Sequence, residues 1–239
     1  MRQHSEETLA ELPSVQGFRQ RGLDMTRVEA FTDAAFAFSL TLLVISFDEL
    51  PGTFAEFIEA LKRIPTFAAC FAQIAIFWYA HHRWSRRYGL DDLTTALLSL
   101  TLVFVTLIFV FPLRIIFSAM FAWMTQGWVP FELADFSPSE MGTIFVIYGA
   151  GFTAMCAVIS GLYWHAGRRA DQLILNVEEL FITRSETQAW LLMGSVGLLS
   201  IAWATLAPSG LKPFAGFAYS LLAVIMPAFG AIKGRQFQR

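Results

Sequence analysis

Six runs of mostly apolar residues, at about 27–47, 64–83, 92–118, 141–164, 187–206 and 213–232, are each long enough to cross a bilayer. A hydrocarbon core of about 30 Å takes roughly 20 helical residues. Lipid offers no partners for free N–H and C=O groups, so each run is expected to be α-helical. The runs are continuous rather than alternating, which speaks against a β-barrel. Composition agrees: 56% of the residues are apolar and only 15% are charged, too little polar surface to cover a water-soluble fold of this size. The expected fold is therefore all-α, a polytopic membrane protein of six transmembrane helices. It divides into an N-terminal tail at 1–26, a membrane domain at 27–233 and a C-terminal tail at 234–239.

The connections carry helix signals. Thr53 to Glu56 reads as a capping box, followed by Phe54, Phe57, Ile58 and Leu61 at helical spacing, the pattern of a short helix lying on the membrane surface. Ser137-Pro138-Ser139-Glu140 and Thr183-Arg184-Ser185-Glu186 are expected to open the fourth and fifth spans. Leu173, Ile174, Val177, Leu180 and Phe181 suggest a helix packed under the bundle. Gly149, Gly151 and Gly161 permit close helix contacts. Residues 1–22 are polar and mixed in charge and are expected to form a mobile or surface-lying tail. No apolar run follows a basic start, so no signal peptide is expected.

Orientation follows from Lys and Arg. With the N-terminus inside, the inner segments hold Arg2, Arg19, Arg21, Arg27, Arg83, Arg86, Arg87, Arg168, Arg169, Arg184, Lys233, Arg235 and Arg239. The outer ones hold Lys62, Arg63 and Lys212. The expectation is a cell-membrane protein with both termini cytoplasmic. No basic stripe suited to nucleic acid is present. Cys70 and Cys156 both fall in apolar stretches and are expected to be packing residues.

Chemistry-bearing residues concentrate in the first two spans. Asp33 sits early in an apolar helix, where a carboxylate is costly and must face a polar partner. Arg27 and Asp33 lie about 240° apart around a helix, so each needs a partner elsewhere, and His81, His82 and Arg83 at the end of span two are available. Phe38, Leu42 and Ile45 recur at i, i+4 and i+7, with Thr41 beside them and Asp33 pointing away. Taken alone, such a stripe faces lipid or a neighbouring helix more often than a pore. The His81-His82 pair lacks carboxylates or a third ligand at helical spacing, so no resident metal is expected. Gly194-Ser195-Val196-Gly197 is not a nucleophile elbow, since Met193 precedes it, and no enzymatic activity is expected.

Arg27-x-x-x-Phe31-Thr32-Asp33, with Phe36-Ala37 and Thr41-Leu42-Leu43 behind it, resembles the first-helix signature R-x-x-x-F-S-D of the transmembrane protein 175 family of lysosomal and bacterial potassium channels. Phe77-Trp78-x-x-His81-His82-Arg83 is similar to the F-W-x-x-H-H-R stretch of the bacterial six-helix members. The two motifs cover spans one and two; the remainder matches in organisation.

This resemblance implies a homotetramer whose four first helices line a central pore, and passive conduction of monovalent cations favouring potassium, with no cofactor. It implies a constriction at Phe38, with further rings at Leu42 and Ile45 and selectivity associated with Thr41. Arg27, Thr32, Asp33, His81, His82 and Arg83 would form the polar network that holds the first helix. Two positions depart from the family pattern: Thr32 replaces a serine but keeps the hydroxyl, and Phe38 stands where the family carries Ile or Leu. Two rival functions remain open in the sequence. One is a proton-coupled secondary transporter using Asp33 and His81/His82. The other is a non-conducting membrane scaffold, for which Phe38 is the argument.

Overall fold

A computed structural model describes residues 11–45, 52–131, 133 and 137–237, except for the side chains of residues 44 and 45. The first element among the described residues is a small antiparallel hairpin, β1 (Ser14–Val15) and β2 (Phe18–Arg19). Gln16 and Gly17 turn it at φ 52° and 77°. Eight α-helices follow among the described residues: α1 (Arg27–Ile45), α2 (Phe54–Leu61), α3 (Ile64–Tyr88), α4 (Leu93–Met124), α5 (Pro138–Arg168), α6 (Ala170–Leu173), α7 (Val177–Leu206) and α8 (Leu222–Phe237). A 3₁₀ segment, Ser209–Leu221, leads into α8.

Local chemistry sets the boundaries. Thr26 Oγ1 accepts the Glu29 N–H and starts α1. Thr53 caps α2, and Glu56 reaches back to the Gly52 N–H. Ser137 and Glu140 close the expected reciprocal box on α5, with Pro138 in its first turn. Asp92 caps α4 and also accepts from His165 at the end of α5.

Two sequence expectations shift. The helix of the fifth span starts at Val177, ten residues before the expected run. Asn176 and Glu179 make the capping box there, and Thr183 sits inside the helix, donating its hydroxyl to the Glu179 carbonyl. The sixth run is not one α-helix. Pro213 brings no N–H to the backbone ladder and Gly210 and Gly216 weaken helix, so the chain runs as 3₁₀ before α8.

The tail also departs from expectation. Phe18 is fully buried and stands edge-on to Tyr88, ring centroids 5.3 Å apart. Gly22 N donates to Arg86 O, and a Cβ at Gly22 would lie 2.3 Å from the Ser85 carbonyl. Residues 18–22 are therefore seated against the end of α3, and the backbone reaches α1 five residues later.

The core centres on α5, which packs most extensively on α7 and then on α4, while α1 lies at one side against α3 and α4. Glycines allow the α5–α7 approach. A Cβ at Gly197 would come 2.3 Å from Thr153 Oγ1, and one at Gly149 would come 2.7 Å from Ile201 Cγ1. Gly151 makes room for Phe109 of α4, whereas Gly161 is under less pressure. Five described segments are long and apolar enough to cross a membrane: Phe54–Tyr88, Leu93–Met124, Pro138–Arg168, Val177–Leu206 and Ser209–Phe237. The nineteen-residue α1, with Arg27, Glu29 and Asp33 in its first two turns, is not in that set.

Candidate functional site

The two sides of α1 are unlike. Glu29, Thr32, Phe36, Ser39 and Leu43 are buried and recur at helical spacing, facing α3 and α4. Arg27, Ala30, Phe31, Ala34, Ala37, Phe38 and Thr41 run along the other side, and all are exposed. Phe31 and Phe38 are each 55% exposed, although they belong to a helix whose opposite face is fully packed. The hydroxyls on α1 are satisfied within the helix: Thr32 donates to Val28 O at 2.8 Å, Ser39 to Ala35 O at 2.9 Å and Thr41 to Phe38 O at 2.6 Å. Such back-bonding is how a hydroxyl is carried on a helix without a second partner.

The stripe read from the sequence is thus divided. Phe38 and Thr41 lie on the uncovered side, and Leu42 is half-buried and packs against the core. The side chain of Ile45 lies outside the described residues.

The polar residues of spans one and two do not form one network. Asp33 Oδ1 accepts from Trp78 Nε1 at 2.9 Å. His82 stacks on Trp78, ring centroids 5.6 Å apart. His82 Nδ1 stands 3.9 Å from Glu29 Oε1, and Arg86 Nη2 lies 3.6 Å from the same oxygen. One donor atom each from Glu29, Asp33 and His82 falls within 4.8 Å of the other two. His81 turns instead to α4, its Nε2 2.9 Å from Ser99 Oγ. Arg83 turns to α7, where Glu186 also meets Arg87. Arg27 is exposed and enters no hydrogen bond or ion pair among the described residues. Side-chain direction explains the sorting. Residues 78, 82 and 86 share one face of α3 and meet 29 and 33 of α1, while 81 and 83 point to other neighbours. Glu29 was missed in the sequence, yet its i, i+4 spacing from Asp33 was the signal for it.

A second polar centre fixes the approach to α1. Glu179, fully buried, takes a guanidinium from Arg19 and one from Arg21, both at 2.7 Å. The hydrogen bond to Glu179 raises the Arg19 pKa above its ordinary value. Arg86 Nη1 donates to Gly22 O at 2.7 Å, so the segment before α1 is tied to both α3 and α7.

A bundle of long apolar helices, with a first helix packed on one side and bare on the other, defines a multi-pass membrane protein. Residues 27–112, α1 through the middle of α4, match the family described as endosomal/lysosomal potassium channel TMEM175. A protein of Marivirga tractuosa described as a potassium channel is 36% identical over 232 residues, covering 93% of each chain. The chain belongs to the TMEM175 potassium channel family. A crystal structure of a variant of the potassium channel MtTMEM175, bound to a nanobody fusion, superposes with a TM-score of 0.80 at 34% identity, covering 94% of this chain and 100% of that one. The structure of a lysosomal potassium-selective channel TMEM175 homolog from Chamaesiphon minutus shares the fold, with a TM-score of 0.53 at 20% identity over 87% of this chain and 96% of that one.

Proposed function

We propose that this chain is a passive, potassium-permeable cation channel, a homotetramer of six-span subunits with α1 at the axis. The observation that carries this reading is the uncovered side of α1, where Phe38 and Thr41 are exposed while the opposite face is packed. A back-bonded threonine is tolerated against lipid, but only toward water or an ion does its oxygen find a further partner. A helix lining a water-filled path accommodates both that threonine and Arg27. Rings of Phe38 form the constriction and Thr41 stands one turn further on. Leu42 backs the constriction from its half-buried position. Four phenyl groups narrow such a path by dewetting, and their faces attract a cation by about 0.5–2 kcal/mol. Membrane orientation follows the Lys and Arg distribution. The end holding Arg19, Arg21, Arg83, Arg86 and Arg87 is cytoplasmic, and both termini lie there.

The transporter alternative relied on Asp33 acting together with His81 and His82. His81 is held by Ser99 and Asp33 by Trp78, which leaves no continuous relay among these three. Potassium-gradient-driven flux in liposomes containing only this protein tests the channel reading. Flux that rises in proportion to the gradient is expected. Saturable, proton-dependent uptake that is lost in Asp33→Asn would replace the channel with a transporter.

A further inference from the structure

We propose that Glu29, Asp33 and His82 form a binding site for a divalent transition-metal cation of the zinc class, and that the bound ion ties α1 to α3 and reduces conduction. The first half stands on the geometry of the three side chains. The second half rests on the channel reading.

One nitrogen and two carboxylates converge from two helices, their donor atoms within 4.8 Å of one another. A tetrahedral site with bonds of about 2.0–2.1 Å places its ligands about 3.4 Å apart. Side-chain rotation supplies the remaining closure. The helices need not move, because Glu29 and Asp33 sit one turn apart on α1, facing His82.

An unsatisfied pair within the cluster points to a ligand. Glu29 is 2% exposed, and its Oε1 is buried without a hydrogen bond. His82 Nδ1 is likewise buried without one. They face each other at 3.9 Å, beyond hydrogen-bond reach. A buried carboxylate oxygen with no donor at hydrogen-bond distance is costly, and a cation between the two groups would satisfy that oxygen together with His82 Nδ1 in its unprotonated form. Trp78 fixes two of the three ligands, stacking on His82 and donating to Asp33. Outer contacts of this kind orient ligands in metal sites.

The donor set selects the metal class. An imidazole nitrogen with two carboxylates suits zinc, cobalt or nickel, whereas magnesium prefers six oxygens. Arg86, 3.6 Å from Glu29 Oε1, opposes the incoming charge and holds the affinity below that of a dedicated structural zinc site. Access is open from one side, since the His82 side chain is 34% exposed. The site lies in the first two turns of α1, before Phe38, so an ion shared with α3 restrains the helix that carries the constriction.

Cobalt(II) serves as the probe, titrated into the full-length protein in detergent. The expected result is visible absorption of a low-coordinate cobalt site, saturating at one ion per subunit. Zinc displaces the cobalt and excess magnesium does not. His82→Gln weakens binding at least tenfold, Glu29→Gln does so as well, and His165→Gln leaves it unchanged. Elution volume on size exclusion checks folding. If Glu29→Gln misfolds, His82→Gln, at a part-exposed position, carries the comparison. No cobalt binding up to about 1 mM, a weak affinity by any measure, overturns the site. Undiminished binding in His82→Gln, or displacement by magnesium as readily as by zinc, overturns it too. In liposomes, zinc is expected to slow potassium flux in the parent and to need at least tenfold more ion in His82→Gln. Zinc-insensitive flux in a parent that binds cobalt overturns the link to conduction. Absence of flux in the parent counts against the channel reading and leaves the cobalt result standing.

Discussion

Arg21 and Glu179, 158 residues apart in sequence, meet at 2.7 Å with side chains 1% and 0% exposed. Arg19 adds a second guanidinium to the same carboxylate. A buried ion pair adds little net stability over an apolar pair, but removing one partner strands the other charge. Here two stranded arginines would lie beside the backbone that leads into α1.

Glu179→Ala is therefore expected to cost roughly 3–5 kcal/mol. A domain of this size responds by about 2–4 °C per kcal/mol, so thermal unfolding in detergent should occur roughly 10 °C lower. Glu179→Gln keeps the hydrogen-bond acceptor and should lose less. An unchanged melting temperature in Glu179→Ala would mean that the hairpin and its two arginines are not held in solution as described.

Phe38→Ala tests the constriction. If four Phe38 rings narrow the path, shortening them widens and wets it. Potassium flux in liposomes should rise by about tenfold or more, the equivalent of about 1.4 kcal/mol off the barrier. Phe31→Ala, two turns earlier on the same uncovered side, should change flux less. Equal effects at the two positions would place the narrowest point elsewhere.

Thr41→Ala tests selectivity. The Thr41 hydroxyl gives its proton to Phe38 O, which leaves its oxygen lone pairs toward the uncovered side. A neutral oxygen contact contributes about 0.5–1.5 kcal/mol net, so its loss should lower the preference for potassium over sodium by about two- to tenfold. Reversal potentials under bi-ionic conditions report this ratio. Thr41→Ser, which retains the hydroxyl, should preserve it.

The apolar runs made the helices legible in sequence, because lipid leaves a spanning backbone few alternatives. The Ser137–Glu140 box was legible for the same local reason as any cap. What escaped depends on partners far along the chain. Arg19, Arg21 and Glu179 each read as solvated surface charges until the fold brings them together. Thr183 and Glu186 matched a capping box, but the equivalent Asn176–Glu179 box came first in the chain and began the helix. In the candidate site, helical spacing grouped Phe38 with Leu42 and Ile45, but which of these is left uncovered depends on how α3 and α4 pack on α1, and Leu42 is half-buried where Phe38 and Thr41 are not. The split of His81 from His82 required knowing which faces of α3 meet α1 and α4. The break in the last helix was signalled by Pro213, but an interior proline is also tolerated in membrane helices. Pro112 lies inside α4 without ending it.

Gly197→Ala probes the α5–α7 contact on which the rest of the bundle is built. A Cβ there would stand 2.3 Å from Thr153 Oγ1 and 3.2 Å from both the Gly149 carbonyl and Phe152 Cδ1. Thr153 cannot swing away freely, because its hydroxyl donates to Gly194 O on the facing helix at 3.2 Å. Relief must come by separating the helices, which loses packing along both and costs about 1–3 kcal/mol. Gly210→Ala, where the added Cβ meets nothing within 4 Å, serves as the control. Thermal unfolding should fall by several degrees for Gly197→Ala and stay near the parent for Gly210→Ala. Because α1 packs chiefly on α3 and α4, potassium selectivity in the surviving Gly197→Ala protein should match the parent. A selectivity change there would mean that the α5–α7 seam sets the position of α1.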